Sequence, residues 1–167
     1  MRLFIAINLT QEMKEALIDI QNDWYDAGAR GNFSPEENLH LTLAFIGEYP
    51  DPDRVTDALQ TVSFSPIPLT LEGVGAFGDL WWAGLKASPA LEAVAKRIRR
   101  ALSVSCIPFD RKRFSPHITL LRKASEETIP PVCVSPVEMN AGRISLMRSD
   151  RANNGMIYTE IGFLQAR

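Results

Sequence analysis

Only two histidines occur in the 167-residue chain, and both are followed by the same short pattern. His40 begins the tetrapeptide HLTL and His117 begins HITL, so each histidine stands two residues before a threonine. By ordinary residue usage, two such matches from two histidines are on the order of one in tens of thousands. The residues whose types and spacing could do chemistry are therefore His40, Thr42, His117 and Thr119.

Both patterns are typical of β-strands, and strand geometry decides which side chains share a face. Successive residues in a strand point to opposite faces, so residues i and i+2 point the same way. The imidazole of His40 is therefore expected beside the hydroxyl of Thr42, and the imidazole of His117 beside the hydroxyl of Thr119. The residues expected to face the core on the opposite side are Leu41, Leu43, Phe45, Ile118 and Leu120.

Two imidazoles and two hydroxyls suit the cleavage of a phosphodiester. That reaction needs a base for the attacking oxygen and an acid for the leaving oxygen. Histidine, with an ordinary pKa of about 6.5, can serve as either near neutral pH, and hydroxyl donors can hold the phosphate oxygens as charge builds up. Either histidine alone would be interpreted as structural, but the repeated pattern favours catalysis. The residues themselves do not say which histidine is the acid and which is the base.

A metal site is not expected from this sequence. With no third histidine and only the two scattered cysteines Cys106 and Cys133, no ligand set is easy to assemble, although carboxylates could contribute. Neither a metal nor another cofactor is therefore predicted. The cysteines form no C-x-x-C pair and are too few for a disulfide framework. We expect two reduced, partly buried thiols.

The second histidine pattern lies in the basic segment RKRFSPHITLLRK, residues 111–123. This segment has five basic residues and no acidic one, a local charge of +5 in a chain whose net charge is −2. It indicates an anionic ligand at this end of the strand, the alternative being a solvated loop. Arg122 is the candidate for binding such a ligand. By strict alternation it faces away from His117, so it reaches a bound phosphate only if the strand ends or bulges there.

Three helices and seven strands are predicted around these patterns. The helices begin after the caps Thr10, Asp51 and Ser88, and a proline follows the last two. Four basic residues of the third helix are expected to be solvated because they lie off its apolar face: Lys96, Arg97, Arg99 and Arg100. The predicted strands cover residues 2–8, 39–46, 67–76, 80–86, 115–122, 137–147 and 156–164.

The order of these elements contains a weak repeat. His40 follows the cap Thr10 by 30 residues, and His117 follows the cap Ser88 by 29, which indicates two related lobes. Trp81 and Trp82 are adjacent in the predicted strand 80–86, so they are expected to face opposite sides. Core or partial burial is favoured for both, and stacking of one on a nucleobase is the alternative.

The composition is that of an ordinary globular protein. Apolar residues make up 46% and charged residues 23% of the chain, and its length suits one compact domain or two small lobes that share a core. The apolar run at residues 3–7 is too short for a signal peptide, and no stretch approaches the length of a membrane span. A cytoplasmic location is therefore expected, and no obligate protein partner is inferred.

Several stretches of the chain resemble the 2H phosphoesterases, a family named for paired H-x-T-x motifs. ENLHLTLAFIGE and RFSPHITLLR resemble the two motifs, RLFIAINL the opening strand, LWWAGL the mid-chain strand, and SLMRSDRANNGMIYTEIGFL the closing hairpin. Within that family the chain is most similar to the bacterial RNA 2′,3′-cyclic phosphodiesterases, also called 2′-5′ RNA ligases. The resemblance covers nearly the whole chain, and the paired motifs are its specific part.

The resemblance implies an α+β fold, bilobal and pseudo-twofold, in which two antiparallel sheets line a central cleft and helices pack outside. It implies that residues 1–167 form a single domain of two interleaved lobes. It also implies metal-independent hydrolysis of a terminal 2′,3′-cyclic phosphate on RNA to a 2′-phosphomonoester. The same path run backwards would ligate 2′-5′ ends.

For the site, the resemblance implies that His40 donates a proton to the leaving oxygen and that His117 accepts one from water. Thr42 and Thr119 would hold the phosphate. Two alternatives stay open. One is a cyclic phosphodiesterase for small nucleotides or an ADP-ribose cyclic phosphate, and the other is a non-catalytic module that binds RNA ends.

Overall fold

A computed structural model describes residues 1–167 and contains three α-helices and nine β-strands. The helices are α1 (Gln11–Asp26), α2 (Pro52–Gln60) and α3 (Pro89–Val104), and a short 3-10 helix covers Glu36–Asn38. The strands are β1 (Arg2–Asn8), β2 (Asn32–Phe33), β3 (His40–Glu48), β4 (Ile67–Phe77), β5 (Leu80–Leu85), β6 (His117–Arg122), β7 (Glu138–Ala141), β8 (Arg143–Ala152) and β9 (Gly155–Gln165).

The strands form two antiparallel sheets, each of which contains one histidine strand. The four-stranded sheet has the order β3-β1-β8-β9, and the five-stranded sheet has the order β2-β6-β5-β4-β7. His40 begins β3 in the first sheet, and His117 begins β6 in the second. The predicted α+β class with two antiparallel sheets is confirmed.

The long helices cross from one sheet to the other. α1 follows β1 of the four-stranded sheet but packs against β6 of the five-stranded sheet. α3 follows β5 of the five-stranded sheet and packs against β3 of the four-stranded sheet, while α2 contacts α3 and β9. Both long helices begin at the predicted caps, because the hydroxyls of Thr10 and Ser88 each accept a bond from a backbone N–H of the first turn.

One apolar core connects the sheets. It contains 37 buried residues, among them Leu41 and Leu43 from β3 and Ile118 and Leu120 from β6, all four predicted to face inward. Trp24 of α1 meets Trp81 of β5 edge to face, with ring centroids 5.2 Å apart. This shared core supports the single-domain interpretation, which stays a prediction.

The strand prediction differs from the structure at two places. The predicted strand 137–147 is two strands, β7 and β8, which meet at Gly142 and lie in different sheets. β7 pairs with β4, whereas β8 pairs with β1 and β9. The alternation of apolar residues shifts by one at Gly142, from Met139 and Ala141 to Ile144 and Leu146. A local pattern does not reveal which partner each strand chooses. The two-residue strand β2 was missed because it is too short to show alternation.

Two further expectations concern the cysteines and membrane association. Cys106 and Cys133 are both free thiols, as predicted. The expected partial burial is wrong, because both side chains are exposed on loops outside the core. No helix has the length and hydropathy that crossing a bilayer requires.

Candidate active site

A β-bulge in β3 changes which side chains share the face of His40. Ile5 of β1 pairs with Ala44, whereas its neighbour Ala6 pairs with Thr42, so Leu43 is an extra residue on β3. Leu43 and Ala44 are consequently both buried. The alternation is then shifted by one, and Phe45 lies on the same face as His40 instead of in the core. The prediction that Phe45 faces the core is wrong for this reason.

The same bulge occurs at the same distance from the second histidine. Trp81 of β5 pairs with Leu121, whereas Trp82 pairs with Thr119, so Leu120 is the extra residue on β6. Leu120 and Leu121 are both buried. The shift turns Arg122 back to the face of Thr119 and meets the condition that the sequence sets for an interaction between Arg122 and a phosphate.

A buried glutamine of α1 holds the bulge in β6. The amide nitrogen of Gln21 donates to the backbone carbonyl of Leu120 at 2.9 Å and to that of Ser34 at 3.0 Å. Gln21 is only 8% exposed, and the carbonyl of Leu120 that it contacts also accepts from the backbone N–H of Ser34 at 2.9 Å. The role of Gln21 was not recognised from the sequence. The available signal was a polar residue in the buried stripe of α1.

An arginine of α3 makes the corresponding contacts in the other half. The Nε of Arg99 donates to the carbonyl of Leu43 at 3.2 Å, and a terminal nitrogen donates to the carbonyl of Lys112 at 2.7 Å. Arg99 and Gln21 each stand eleven residues after the cap of their helix, Ser88 or Thr10. The prediction that Arg99 is solvated is wrong, because the loop before β6 covers its helix face and supplies a carbonyl acceptor.

Backbone carbonyls fix the orientation of both imidazoles. The Nδ1 of His40 lies 2.6 Å from the carbonyl oxygen of Asn38, and the Nδ1 of His117 lies 2.6 Å from that of Ser115. A carbonyl oxygen can only accept, so Nδ1 carries the proton in both rings. Each Nε2 is then left to exchange protons, and that of His40 lies 2.9 Å from the hydroxyl of Thr42.

Aromatic rings surround both histidines, but to different extents. His40 lies against Phe4 and Tyr158, with ring centroids 4.9 and 5.3 Å away. His117 lies against Phe77 and Trp82, with centroids 5.1 and 6.1 Å away. Phe4 is buried, whereas Phe77 is 48% exposed, so the imidazole of His117 has the more open surroundings.

The pKa of His40 is lowered below its ordinary value. Burial is the largest cause, because it disfavours the charged imidazolium. The hydrogen bond to Asn38 acts in the opposite direction, and the positive charges of Arg122, His117 and Lys14 lower the pKa further. His40 of β3 and Thr119 and Arg122 of β6 line one cavity, so the two histidine strands, although in different sheets, face the same space.

Two adjoining cavities meet at His40. The larger, about 750 Å³, has His40, Thr42 and Arg122 in its wall. The smaller, about 440 Å³, has His40, Thr119 and Arg122 in its wall. Arg122 is the one residue of the basic segment 111–123 that lines both. No three His, Cys, Asp or Glu side chains lie close enough together to hold a metal ion.

The two adjacent tryptophans face opposite sides, as strand geometry predicts. Trp81 is fully buried against Trp24. Trp82 is half-buried and points to the cleft side, where it contacts Phe77 and His117. Its ring lies so close to Gly75 that a side-chain Cβ there would overlap it. Trp82 therefore supports the position of His117.

Comparison with known proteins identifies related sequences. The model of a family described as the 2′-5′ RNA ligase superfamily matches residues 11–153. A protein of Escherichia coli strain K12 named RNA 2′,3′-cyclic phosphodiesterase is 37% identical over 137 residues, which cover 78% of this chain and 77% of that protein. A protein of Geobacillus stearothermophilus with the same name is 33% identical over 130 residues, or 72% of this chain. The match spans 41% of the length of the Geobacillus protein.

A solved structure resembles the whole fold. The crystal structure of E. coli LigT complexed with 3′-AMP superposes with a TM-score of 0.89 and 28% sequence identity. The superposition covers 99% of this chain and 97% of the LigT chain. The arrangement of sheets and helices described above is therefore shared with LigT.

Proposed function

This chain belongs to the 2′-5′ RNA ligase superfamily, and from that premise we propose that it is a cyclic phosphodiesterase that acts on RNA. The proposed reaction is hydrolysis of a terminal 2′,3′-cyclic phosphate to a 2′-phosphomonoester. Relatives from several organisms carry the name RNA 2′,3′-cyclic phosphodiesterase. The same reaction in reverse would join 2′-5′ ends.

The observation that carries this proposal is the matched pair of imidazoles. Both rings have Nδ1 committed to a backbone carbonyl two residues earlier, which leaves Nε2 for proton transfer. Both stand two residues before a threonine, and the bulge in β6 brings Arg122 into the wall of a cavity that His40 and Thr119 also line. An acid, a base and donors for the phosphate oxygens are what hydrolysis of a phosphodiester requires.

We assign the proton transfers as follows. The Nε2 of His117 accepts a proton from water, whose oxygen attacks phosphorus and forms the new P–O bond. The P–O3′ bond breaks, and the Nε2–H of His40 donates its proton to the departing O3′. Thr42, Thr119 and Arg122 hold the non-bridging oxygens. His117 ends protonated and His40 neutral, and exchange with solvent restores both.

Because the pKa of His40 is lowered, His40 can act as the acid only if the bound substrate favours its protonated form. In the free protein the neutral imidazole is favoured, because burial and the positive charges of Arg122 and Lys14 disfavour the charged form. A bound cyclic phosphate carries a negative charge beside Arg122 and offsets those positive charges. Substrate binding is therefore expected to raise the pKa of His40 and to protonate the donor when it is needed.

The test is product analysis with a nucleoside 2′,3′-cyclic phosphate and an RNA that ends in one. We expect the 2′-phosphomonoester from both, separated from the 3′ isomer by chromatography, at a rate that EDTA does not change. A variant with His40→Ala and His117→Ala together is the blank. A 3′-phosphate product, or activity lost with EDTA and restored by a divalent ion, would contradict the proposed chemistry. Tight binding of RNA ends with no product would instead identify a binding module.

The natural substrate and the location of the protein in the cell are part of the same proposal. RNA ends are proposed as the substrate because of the names of the relatives, and small cyclic nucleotides stay as the competing class. The ratio of rates on the two substrates in the product assay separates these classes. The cytoplasmic location stays a prediction.

A further inference from the structure

The larger cavity extends well beyond His40 and is rich in arginine. Four arginines line it, namely Arg2, Arg122, Arg148 and Arg151. Its two acidic residues already have partners: Glu48 bonds the amino group of Met1 at 3.2 Å, and Asp150 bonds Arg148 at 2.9 Å. We call this space the basic cavity.

Arg2 and Arg151 of the basic cavity, like Arg122, have no acidic partner. Neither Arg2 nor Arg151 forms a salt bridge or a side-chain hydrogen bond, and both are exposed. The guanidinium of Arg2 rests over the ring of Phe45, 4.9 Å from its centroid. This contact holds the charge above the wall that also carries His40 and Thr42.

The smaller cavity has a different chemical character. Apart from His40 and Arg122, its wall contains no ionisable group other than the phenol of Tyr158, and it includes the amides of Asn32 and Asn154 and the ring of Phe33. Neutral amides and an aromatic ring suit a ribose or a base better than a phosphate. The two cavities share His40 and Arg122, so a phosphate held there borders both.

We propose that the basic cavity binds the RNA backbone next to the reacting end, with Arg2 and Arg151 on a second phosphate. The inference rests on the proposed function and adds to it the two residues that would favour an oligonucleotide end over a mononucleotide. The cavity, at about 750 Å³, is of a size that holds a nucleotide-sized group. A mononucleotide has a single phosphate, which Arg122 and the hydroxyls engage, and it would leave Arg2 and Arg151 without a ligand. A second phosphodiester supplies the missing anion.

The experiment compares two substrates in three proteins. The substrates are adenosine 2′,3′-cyclic phosphate and a tetraribonucleotide that ends in the same group. The proteins are the natural chain, Arg2→Gln/Arg151→Gln, and a control, Arg97→Gln/Arg100→Gln, which removes two arginines of α3 that do not line the basic cavity. The measured quantity is kcat/KM as a function of salt concentration.

For the natural chain we expect a kcat/KM at least about tenfold higher on the tetranucleotide than on the mononucleotide, with a steeper salt dependence. In Arg2→Gln/Arg151→Gln this advantage should fall to about twofold or less. The slope of log kcat/KM against log salt should then decrease by about 0.7 for each phosphate that the protein no longer neutralises. Turnover of the mononucleotide should change by no more than about twofold, because screening at physiological salt weakens the more distant charges. The control should match the natural chain.

Other outcomes overturn the inference. An equal loss on both substrates would mean that the two arginines act on the cleft itself. An unchanged tetranucleotide advantage, or an equal loss in the control, would mean that the basic cavity does not bind the strand. A natural chain that turns over neither substrate would contradict the proposed function instead, so the two failures are distinguishable.

Discussion

The half of the cleft built on β3 and the half built on β6 have the same construction and expose different residues. In each, a threonine lies two residues after the histidine and a bulge follows it. Because of the bulge, the fifth residue after the histidine faces the cleft. In each, a helix side chain donates to the carbonyl of the bulged leucine. The fifth residue is Phe45 in the β3 half and Arg122 in the β6 half.

Because one half has Phe45 where the other has Arg122, the two halves differ in charge. The β6 half supplies the positive charge, while the β3 half surrounds His40 with Phe4, Tyr158 and Phe45 and lowers its pKa. Equal backbones therefore place two equal imidazoles in unequal surroundings. The comparison shows that a change at one position of the repeated pattern, Phe45 against Arg122, alters the charge of a half without altering its backbone.

The largest expected effect comes from removing either histidine. His40→Ala and His117→Ala should each lower kcat on a nucleoside 2′,3′-cyclic phosphate by at least about a hundredfold, because each removes one proton transfer. The two variants should differ in their activity on 3′-deoxyadenosine 2′-(4-nitrophenyl phosphate), because its nitrophenolate leaving group departs without a proton. There His40→Ala should lose less than about tenfold, whereas His117→Ala should stay severely impaired. The reverse ranking would exchange the proposed roles.

A smaller effect is expected at the fifth residue of each half. Arg122→Gln should lower kcat/KM by about tenfold to a hundredfold, the range for a hydrogen bond to a charged group. Phe45→Leu should change kcat/KM on the mononucleotide by less than about threefold, because it removes no donor to the phosphate. Steady-state kinetics measure both, with thermal unfolding as the control for folding. Equal losses would show that the asymmetry between the halves has no catalytic meaning.

The helix side chains provide a third comparison. Gln21→Leu and Arg99→Leu each remove two hydrogen bonds to backbone carbonyls and should cost about 1–3 kcal/mol of unfolding free energy. Only Gln21→Leu is expected to impair catalysis, by about threefold to tenfold in kcat/KM, because the bulge that it holds positions Arg122. Urea unfolding and kinetics well below the thermal transition test this. Matched activity losses in both variants would indicate a purely structural role for the two residues.

The smallest effect is a change in the pKa of His40. In an NMR titration of the free protein, His40 should titrate below the ordinary value for histidine, because burial and nearby positive charges disfavour its charged form. Arg122→Gln should raise this pKa, since one of those charges is removed. The unfolded chain binds more protons than the folded one between the two pKa values, so stability should rise with pH across that interval. A pKa unchanged by Arg122→Gln would contradict the closeness of the two groups.

Much of the fold and part of the site could be predicted from local patterns. The caps Thr10 and Ser88, the paired His–Thr faces and most inward-facing leucines follow from spacing alone. The bulges could not be predicted, because an extra strand residue is defined by what the neighbouring strand pairs with. Gln21 and Arg99 were not recognised as donors to the bulges for the same reason, since their acceptors lie in distant segments.

By itself, the sequence determined the helices, the strand faces and the two histidine patterns, because these depend on periodicity and on neighbours within a few residues. Only the tertiary structure decided that Phe45 and Arg122 turn into the cleft, that the pKa of His40 is lowered, and that a basic cavity adjoins it. Those properties depend on strand pairing between distant segments, on burial and on charges brought together from separate strands. No local pattern encodes them.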